Sequence, residues 1–397
     1  MARGEIFNAQ VESIAAGGAG IARIEGKTVF IELTAPGDLV MCRITKEKKS
    51  WAEAELLGVL EPSPLRSEVK CHYFGICGGC SLQHLDYGAQ VEAKTAILRS
   101  AFERIGNFVP PEITVRESAP YEYRNKLRFH IIHSATGQGK ARLGFMERNS
   151  SQIVDIDDCP VADPGIRKAL KNGEFSPPGK KERLNVYSRG DCFLSDCGQQ
   201  KGKVSILDME LAMDVKLFFQ SNAAMLELLI TDLLALTEKA DKKLPLADIY
   251  SGVGTFASFL CRGHDGNLRF PEIDLVEENK TALALAGENM SGGAVVNYHA
   301  LTDTAWVSTL AEKNSKSWGL MVLDPPRDGL SGPFRHWLAQ HGPELVAYVS
   351  CDPATLARDS RVLTEGAYTL TELSFYDFYP QTAHIESLAV FSRKGKQ

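Results

Sequence analysis

Cys351 ends an apolar run and stands directly before Asp352-Pro353, within VSCDPATLARD at 349–359. A thiol where a strand gives way to a helix can have its pKa lowered by the helix's unbonded amides, and the thiolate is the nucleophilic form. Taken alone, such a cysteine is more often apolar filler. A second stretch, DFYPQTAHIESL at 377–388, sets His384 and Glu386 two residues apart. Either could act as a general base, or serve only in a local hydrogen-bond network.

Two further stretches carry ligand-binding chemistry. In DIYSGVGTF, Asp248 to Phe256, an apolar strand ends at Tyr250, and Gly252 and Gly254 permit a tight turn before a helix. Such a turn lets backbone approach a nucleotide-like ligand. A lone Gly-x-Gly is equally a structural turn. About twenty residues on, the strand IDLVE ends at Glu277, where an acid can accept bonds from both ribose hydroxyls. The pair favours an adenosine-containing cofactor, and without a third glycine or a Walker lysine the dinucleotide and ATP readings weaken. LDPPRDGL at 323–330 follows another strand, and its two prolines stiffen a loop from which Asp324 would project into the crevice at the strands' carboxyl ends.

Cys71, Cys77 and Cys80 form Cys-x5-Cys-x2-Cys among glycines, and the next cysteine in the chain is Cys159, followed by Pro160. Four thiolates suit zinc or an iron–sulfur cluster. The Cys-Pro pair leans toward iron–sulfur, with zinc left open. Cys192 and Cys197 are read as structural.

These residues need elements to place them. Residues 1–62 read as about five short strands with turns at 17–20, Glu25-Gly26 and 35–38, a small OB-like β-barrel, and Pro62 and Pro64 mark a linker. Residues 68–215 hold the clustered cysteines, an amphipathic helix over about 86–105 that is expected to pack on the catalytic domain, and a strand-rich stretch. Residues 216–397 alternate helix and strand, which argues a parallel α/β sheet of Rossmann-like type.

The 397 residues, 44% hydrophobic and 24% charged, fit a globular protein of two or three domains. No apolar run reaches the ~20 residues of a membrane span, and no signal-peptide core is apparent, so a cytoplasmic setting is expected. Nine cysteines are an odd count for a disulfide framework. Net charge is -6, yet Arg116 to Arg148 carries seven basic residues, Lys140 among them, against three acids. That segment could meet phosphates or be an ordinary solvated face.

In this order the motifs resemble those of the RNA 5-methyluridine methyltransferase family: Phe-x-Gln-x-Asn, Asp-x-x-x-Gly-x-Gly, Asp-Pro-Pro-Arg, Ser-Cys-Asn-Pro-x-Thr-x-Ala-Arg-Asp and Phe-Pro-x-Thr-x-His-x-Glu. Here they stand at Phe218–Asn222, Asp248–Phe256, Asp324–Arg327, Ser350–Asp359 and Tyr379–Glu386, with Asp352 in place of Asn and Tyr379 in place of Phe. The resemblance implies a class I, S-adenosylmethionine-dependent enzyme. In it Cys351 would add to carbon 6 of a uracil and Glu386 would remove the carbon 5 proton, with Gln220, Tyr250, Glu277 and Asp324 at the cofactor or reaction centre. The barrel and four cysteines are similar to the TRAM domain and 4Fe–4S motif of the 23S ribosomal RNA branch, which implies RNA as partner and Cys71, Cys77, Cys80 and Cys159 as cluster ligands. A monomer is expected. The rival expectations are a transfer RNA T-loop enzyme and a non-catalytic RNA-binding scaffold.

Overall fold

The computed structural model describes residues 2–133, 142–175, 181–262, 267–290, 293–312 and 316–395. Lys140 of the basic segment lies outside them. The chain gathers into two compact units. One runs to Ile97 and adds Ala119–Asn185 and Tyr379–His384; the other comprises Leu98–Ser118, Val186–Phe378 and the chain from Ile385.

The first unit opens with six strands: β1 (Ile6–Gln10), β2 (Ser13–Ile14), β3 (Gly20–Ile24), β4 (Lys27–Ile31), β5 (Leu39–Glu47) and β6 (Trp51–Glu61). They form one sheet in the order β1-β5-β6-β4-β3-β2, antiparallel except for β4 with β6. Alternation turns Val29, Ile31, Val40, Cys42 and Ile44 into one core. Glu25 and Gly26 both take positive φ, 50° and 79°, as the tight hairpin turn requires. Asp38 fastens the chain beyond β6 to this sheet: its carboxylate receives the Arg66 guanidinium at 2.9 and 2.8 Å and the Ser63 amide at 2.9 Å.

Helix α1 (Tyr87–Ala101) starts in this unit, and from Leu98 its residues belong to the second. A π-helical turn, Phe102–Gly106, and a short strand, β7 (Ile113–Arg116), come after it there. Back in the first unit, β8 (Lys126–Ile132), β9 (Arg142–Met146) and β10 (Ile153–Asp155) pair antiparallel. Helix α2 (Pro164–Lys171) comes next, capped by Asp163 with proline at its first turn.

β11 (Arg183–Arg189) carries the chain into the second unit, where its latter half pairs with β12 (Cys192–Ser195). β13 (Lys201–Ile206) and β14 (Met209–Asp214) make a hairpin. The remaining elements are α3 (Ala223–Leu236), β15 (Leu246–Ile249), α4 (Thr255–Leu260), β16 (Glu272–Val276), α5 (Lys280–Asn289), β17 (Val295–His299), α6 (Asp303–Glu312), β18 (Leu320–Leu323), α7 (Gly332–His341), β19 (Leu345–Ser350), α8 (Pro353–Glu365), β20 (Tyr368–Tyr376) and β21 (Glu386–Arg393). The sheet runs β17-β16-β15-β18-β19-β21-β20-β7. Its first five strands are parallel, and β21 runs antiparallel to both neighbours. β15, β18 and β19 are buried at every residue, which explains why they are apolar apart from Asp248 and Ser350. No helix among the described residues is long and apolar enough to cross a membrane.

Three of the basic residues of 116–148 are paired with acids. Arg116 grips Asp232 with two bonds of 3.0 Å, Arg142 pairs with Asp155 at 2.8 Å, and Arg148 reaches Glu32 at 3.3 Å.

Candidate active site

The carboxyl ends of β15, β16, β18 and β19 bring four of the motifs to one edge of the second unit's sheet. At β15, Tyr250 takes φ 64°, Gly252 54° and Gly254 74°. Gly254 has no room for a side chain, since a Cβ would lie 3.1 Å from that of Ala286. A Cβ on Gly252 would meet nothing within 4 Å, so this turn faces open space that a ligand can approach. Glu277, at the end of β16, accepts the Gly252 amide at 3.0 Å and the Asn279 amide at 2.7 Å. Both bonds fix the carboxylate beside the glycine turn and leave lone pairs for further donors. Gln220 precedes the Asn222 cap of α3, and its Oε1 is buried with no partner.

Asp248, fully buried on β15, accepts the Ala257 amide at 3.1 Å through one oxygen, while the other has no partner. Burial pushes its carboxyl up to about 8, with Asp324 and Glu277 adding repulsion. Asp324 follows β18, and burial raises it to about 7. A set of acids with an orphaned buried oxygen suits a cationic ligand.

Sequence reading missed Asp303, at the start of α6. It accepts the Tyr250 phenol at 2.6 Å and the Ser331 amide at 3.0 Å, tying the glycine turn to the cap of α7. Burial would raise its carboxyl, but those bonds hold it below the ordinary value. Burial and the Asp303 bond push the Tyr250 phenol well up. Only its place at a helix start could have signalled Asp303. Asp359 is likewise buried in α8, and it receives Tyr348 Oη at 2.8 Å and the Leu330 amide at 2.9 Å. The Asp-Pro-Pro-Arg loop is thereby held to the helix behind Cys351.

Cys351 is half-buried between β19 and α8. The expected lowering of its thiol by helix amides does not occur. Burial, Glu386 and Asp324 push it up to about 12, against a weaker pull from Arg327. Asp352 caps α8, its side chain taking the Ala354 and Thr355 amides at 2.9 Å each. Glu386 opens β21 and is 3% exposed. Burial first, then Asp324, drives it well above the ordinary carboxyl range, with Arg327 opposing. His384 is exposed, and its ring lies against the Tyr379 ring at 5.6 Å.

In the first unit Cys71, Cys77, Cys80 and Cys159 are all free thiols. Among the described residues, no group of three or more His, Cys, Asp or Glu side chains could hold a metal ion as it stands. The four are nonetheless neighbours: burial raises each, and Cys77, Cys80 and Cys159 also feel the charge of Cys71. Arg124 offsets that repulsion at Cys77, Cys80 and Cys159. Cys192 and Cys197 lie in the second unit, with Cys197 Sγ 3.5 Å from Ser195 Oγ.

Comparison with known proteins places these features in a family. Residues 2–57 match the TRAM domain and residues 195–394 the family described as tRNA (Uracil-5-)-methyltransferase. An uncharacterized RNA methyltransferase of Treponema denticola is 33% identical, over 93% of this chain and 94% of its own. The 23S rRNA (uracil(1939)-C(5))-methyltransferase RlmD of Aeromonas hydrophila is 32% identical, over 94% and 93%. Among solved structures, Pyrococcus abyssi tRNA (uracil-54, C5)-methyltransferase in complex with S-adenosyl-L-homocysteine superposes with a TM-score of 0.71 at 21% identity, covering 97% of this chain and 100% of that one. That likeness is one of fold, the class I methyltransferase fold expected from the sequence. The chain belongs to the tRNA (uracil-5-)-methyltransferase family, the S-adenosylmethionine-dependent RNA uracil-C5 methyltransferases, and carries a TRAM domain at its N-terminal end.

Proposed function

We propose that this protein methylates carbon 5 of a uridine in 23S ribosomal RNA, with Cys351 as nucleophile and Glu386 as base. The observation that carries the reading is the strand register. Ser350, the last residue of β19, pairs opposite Ser387, so Cys351 leaves β19 at the end where Glu386 opens β21. A nucleophile and a base at the same end of two paired strands can work on the two neighbouring carbons of one ring.

Uracil carbon 5 is a weak nucleophile until carbon 6 carries an added group. Cys351 sheds its proton to solvent, and its sulfur bonds to carbon 6, leaving an enolate with charge at carbon 5. Bound S-adenosylmethionine supplies an electrophilic methyl group, which carbon 5 takes up. Glu386, ionised, then removes the carbon 5 proton; the double bond re-forms and the carbon–sulfur bond breaks, freeing Cys351. One proton is released overall. The target base has to leave its stack to reach such a site. Gln220, Tyr250, Glu277 and Asp324 would hold the cofactor. The orphaned Gln220 oxygen, the open face of Gly252 and the acid-rich crevice fit an adenosine ligand bearing a positive sulfonium.

Ribosomal RNA is favoured because relatives named for 23S rRNA match this chain at 32% and 30% identity over 94% and 98% of its length. Transfer RNA is the second reading, after the description of the matching family. Cys71, Cys77, Cys80 and Cys159 would ligate a 4Fe–4S cluster of structural role. An all-thiol set with Arg124 beside it suits a soft, anionic cluster. The protein would act in the cytoplasm as a monomer.

RNA fragments carrying 5-fluorouridine test the reading, because fluorine replaces the proton that Glu386 must remove. With cofactor present, a covalent complex stable to denaturation is expected on 23S fragments. A complex on transfer RNA alone would move the substrate, and none on either would sink the mechanism.

A further inference from the structure

The loop after β18 is seated on α8 by three side chains from one face of that helix. Thr355 Oγ1 donates to the Arg327 carbonyl at 3.0 Å, Arg358 Nη2 donates to the Asp328 carbonyl at 2.8 Å, and Asp359 Oδ2 receives the Leu330 amide at 2.9 Å. Residues three and four apart share a helix face, and here they hold three successive peptide groups of the loop. Gly329 lies among those groups with φ 72°, and a Cβ on it would fall 2.6 Å from Asp359 Oδ2, 2.7 Å from Arg358 Nη2 and 3.1 Å from Thr355 Cβ. The missing side chain is what lets the loop lie against this face. Asp359 is fully buried, and its charge is met by Arg335 Nη1 at 2.6 Å and Arg358 Nε at 2.9 Å, so the seat contains no unpaired ion.

The helix that forms the seat opens two residues after Cys351, and loop, helix, Cys351 and Glu386 all belong to the second unit. Three charged groups act on the thiol: Glu386 from β21, and Asp324 and Arg327 from the segment after β18. The two acids oppose a thiolate, and Arg327 favours it. Arg327 acts on the Glu386 carboxylate in the same sense. Asp324 directly follows β18, whereas Arg327 stands exposed three residues further on, with its carbonyl held by Thr355.

We propose that Arg327 supplies the positive charge that supports Cys351 as a thiolate, and that Thr355, Arg358 and Asp359 are positioning residues that hold Arg327 in place for it. The inference rests on Cys351 being the nucleophile and is independent of which RNA is the substrate. Removing the charge depletes the thiolate. Removing the seat lets the charge drift away from the sulfur.

The test is alkylation of Cys351 by iodoacetamide near pH 8 in the full-length protein, without RNA or cofactor, read by mass spectrometry of the peptide that carries it. R327M should react about three- to tenfold more slowly than wild type, because the lost thiolate is partly offset by the greater nucleophilicity of a more basic sulfur. R327K keeps the charge and should stay close to wild type. T355V removes the hydroxyl and little else, so it should slow the reaction in the same direction, and T355S should restore it. The sign separates this role from a merely structural one, since a loosened loop would uncover the thiol and speed its alkylation. Wild-type or faster alkylation in R327M overturns the proposal, and the same result in T355V overturns the seat. If T355V does not fold, G329A, which drives a methyl group into the seat, decides by the same criterion. A 5-fluorouridine adduct formed by C351A would instead remove the nucleophile on which the inference rests, whatever the alkylation rates show.

Discussion

Ser387 Oγ donates to the Ser350 carbonyl at 3.2 Å, across two antiparallel strands in which these residues are direct partners. The residue before the candidate nucleophile is therefore bonded to the residue after the candidate base. Because side chains alternate faces along a strand, a slip of one residue would turn Glu386 away from Cys351. The serine bond adds to the ladder at the point where register matters to chemistry.

Replacing Cys351 with alanine should abolish both methylation and the 5-fluorouridine adduct while leaving RNA binding close to wild type. Filter binding and denaturing gels on one preparation read both. An adduct that persists in C351A would assign the nucleophile elsewhere.

Burial and neighbouring acids raise both Glu386 and Cys351 above their ordinary values, and the proposed reaction needs both ionised. The reactive fraction of free enzyme therefore grows as pH rises, so kcat/KM, which reports the free enzyme's groups, should still be climbing above neutrality. A profile that falls from pH 6 to 8 would contradict the assigned roles. E386Q should lower kcat by about 10²–10⁴.

Asp248 carries its own pH signature. The folded protein keeps its proton up to about 8, whereas an unfolded chain releases it near the ordinary 3.8. Across that window the folded state binds more protons, so stability falls as pH rises through it. Thermal melts from pH 5 to 8 should show the fall, and D248N should flatten it. An equal slope in the variant would remove Asp248 as the cause.

At Gly254 an alanine meets both a positive φ of 74° and the Ala286 methyl group at 3.1 Å. G254A should lose about 1–3 kcal/mol of stability and bind S-adenosylhomocysteine more weakly in calorimetry. Wild-type affinity would show that the turn does not touch the cofactor.

Anaerobic purification should give a brown protein with about four irons, and serine at Cys71, Cys77, Cys80 or Cys159 should bleach it. A colourless, zinc-bearing protein would replace the cluster with a tetrahedral metal.

Much of this was legible in the chain. Mostly apolar runs marked β15, β18 and β19 because parallel strands are buried on both faces, and Glu25-Gly26 marked a hairpin through its backbone demands. β7 was not legible: four residues, ITVR, gain strand character only by pairing with β20, more than two hundred residues away. The chemistry of Cys351 was half legible. Its place before a helix could be read, but not that Asp352 would take the helix amides and that two acids would face the thiol. Residue type alone left Glu386 and His384 both open as bases; the resemblance chose Glu386, and its burial beside an exposed His384 could not be read from the chain.

β21 comes after every other strand of its sheet in the chain yet lies between β19 and β20. During synthesis those two strands therefore wait with open edges until Glu386 and the residues after it have emerged. A nascent chain can complete its TRAM domain and glycine turn long before it owns the proposed base. Premature capture of RNA by an unfinished molecule would be catalytically silent, and the waiting edges are where chaperone dependence and aggregation should concentrate.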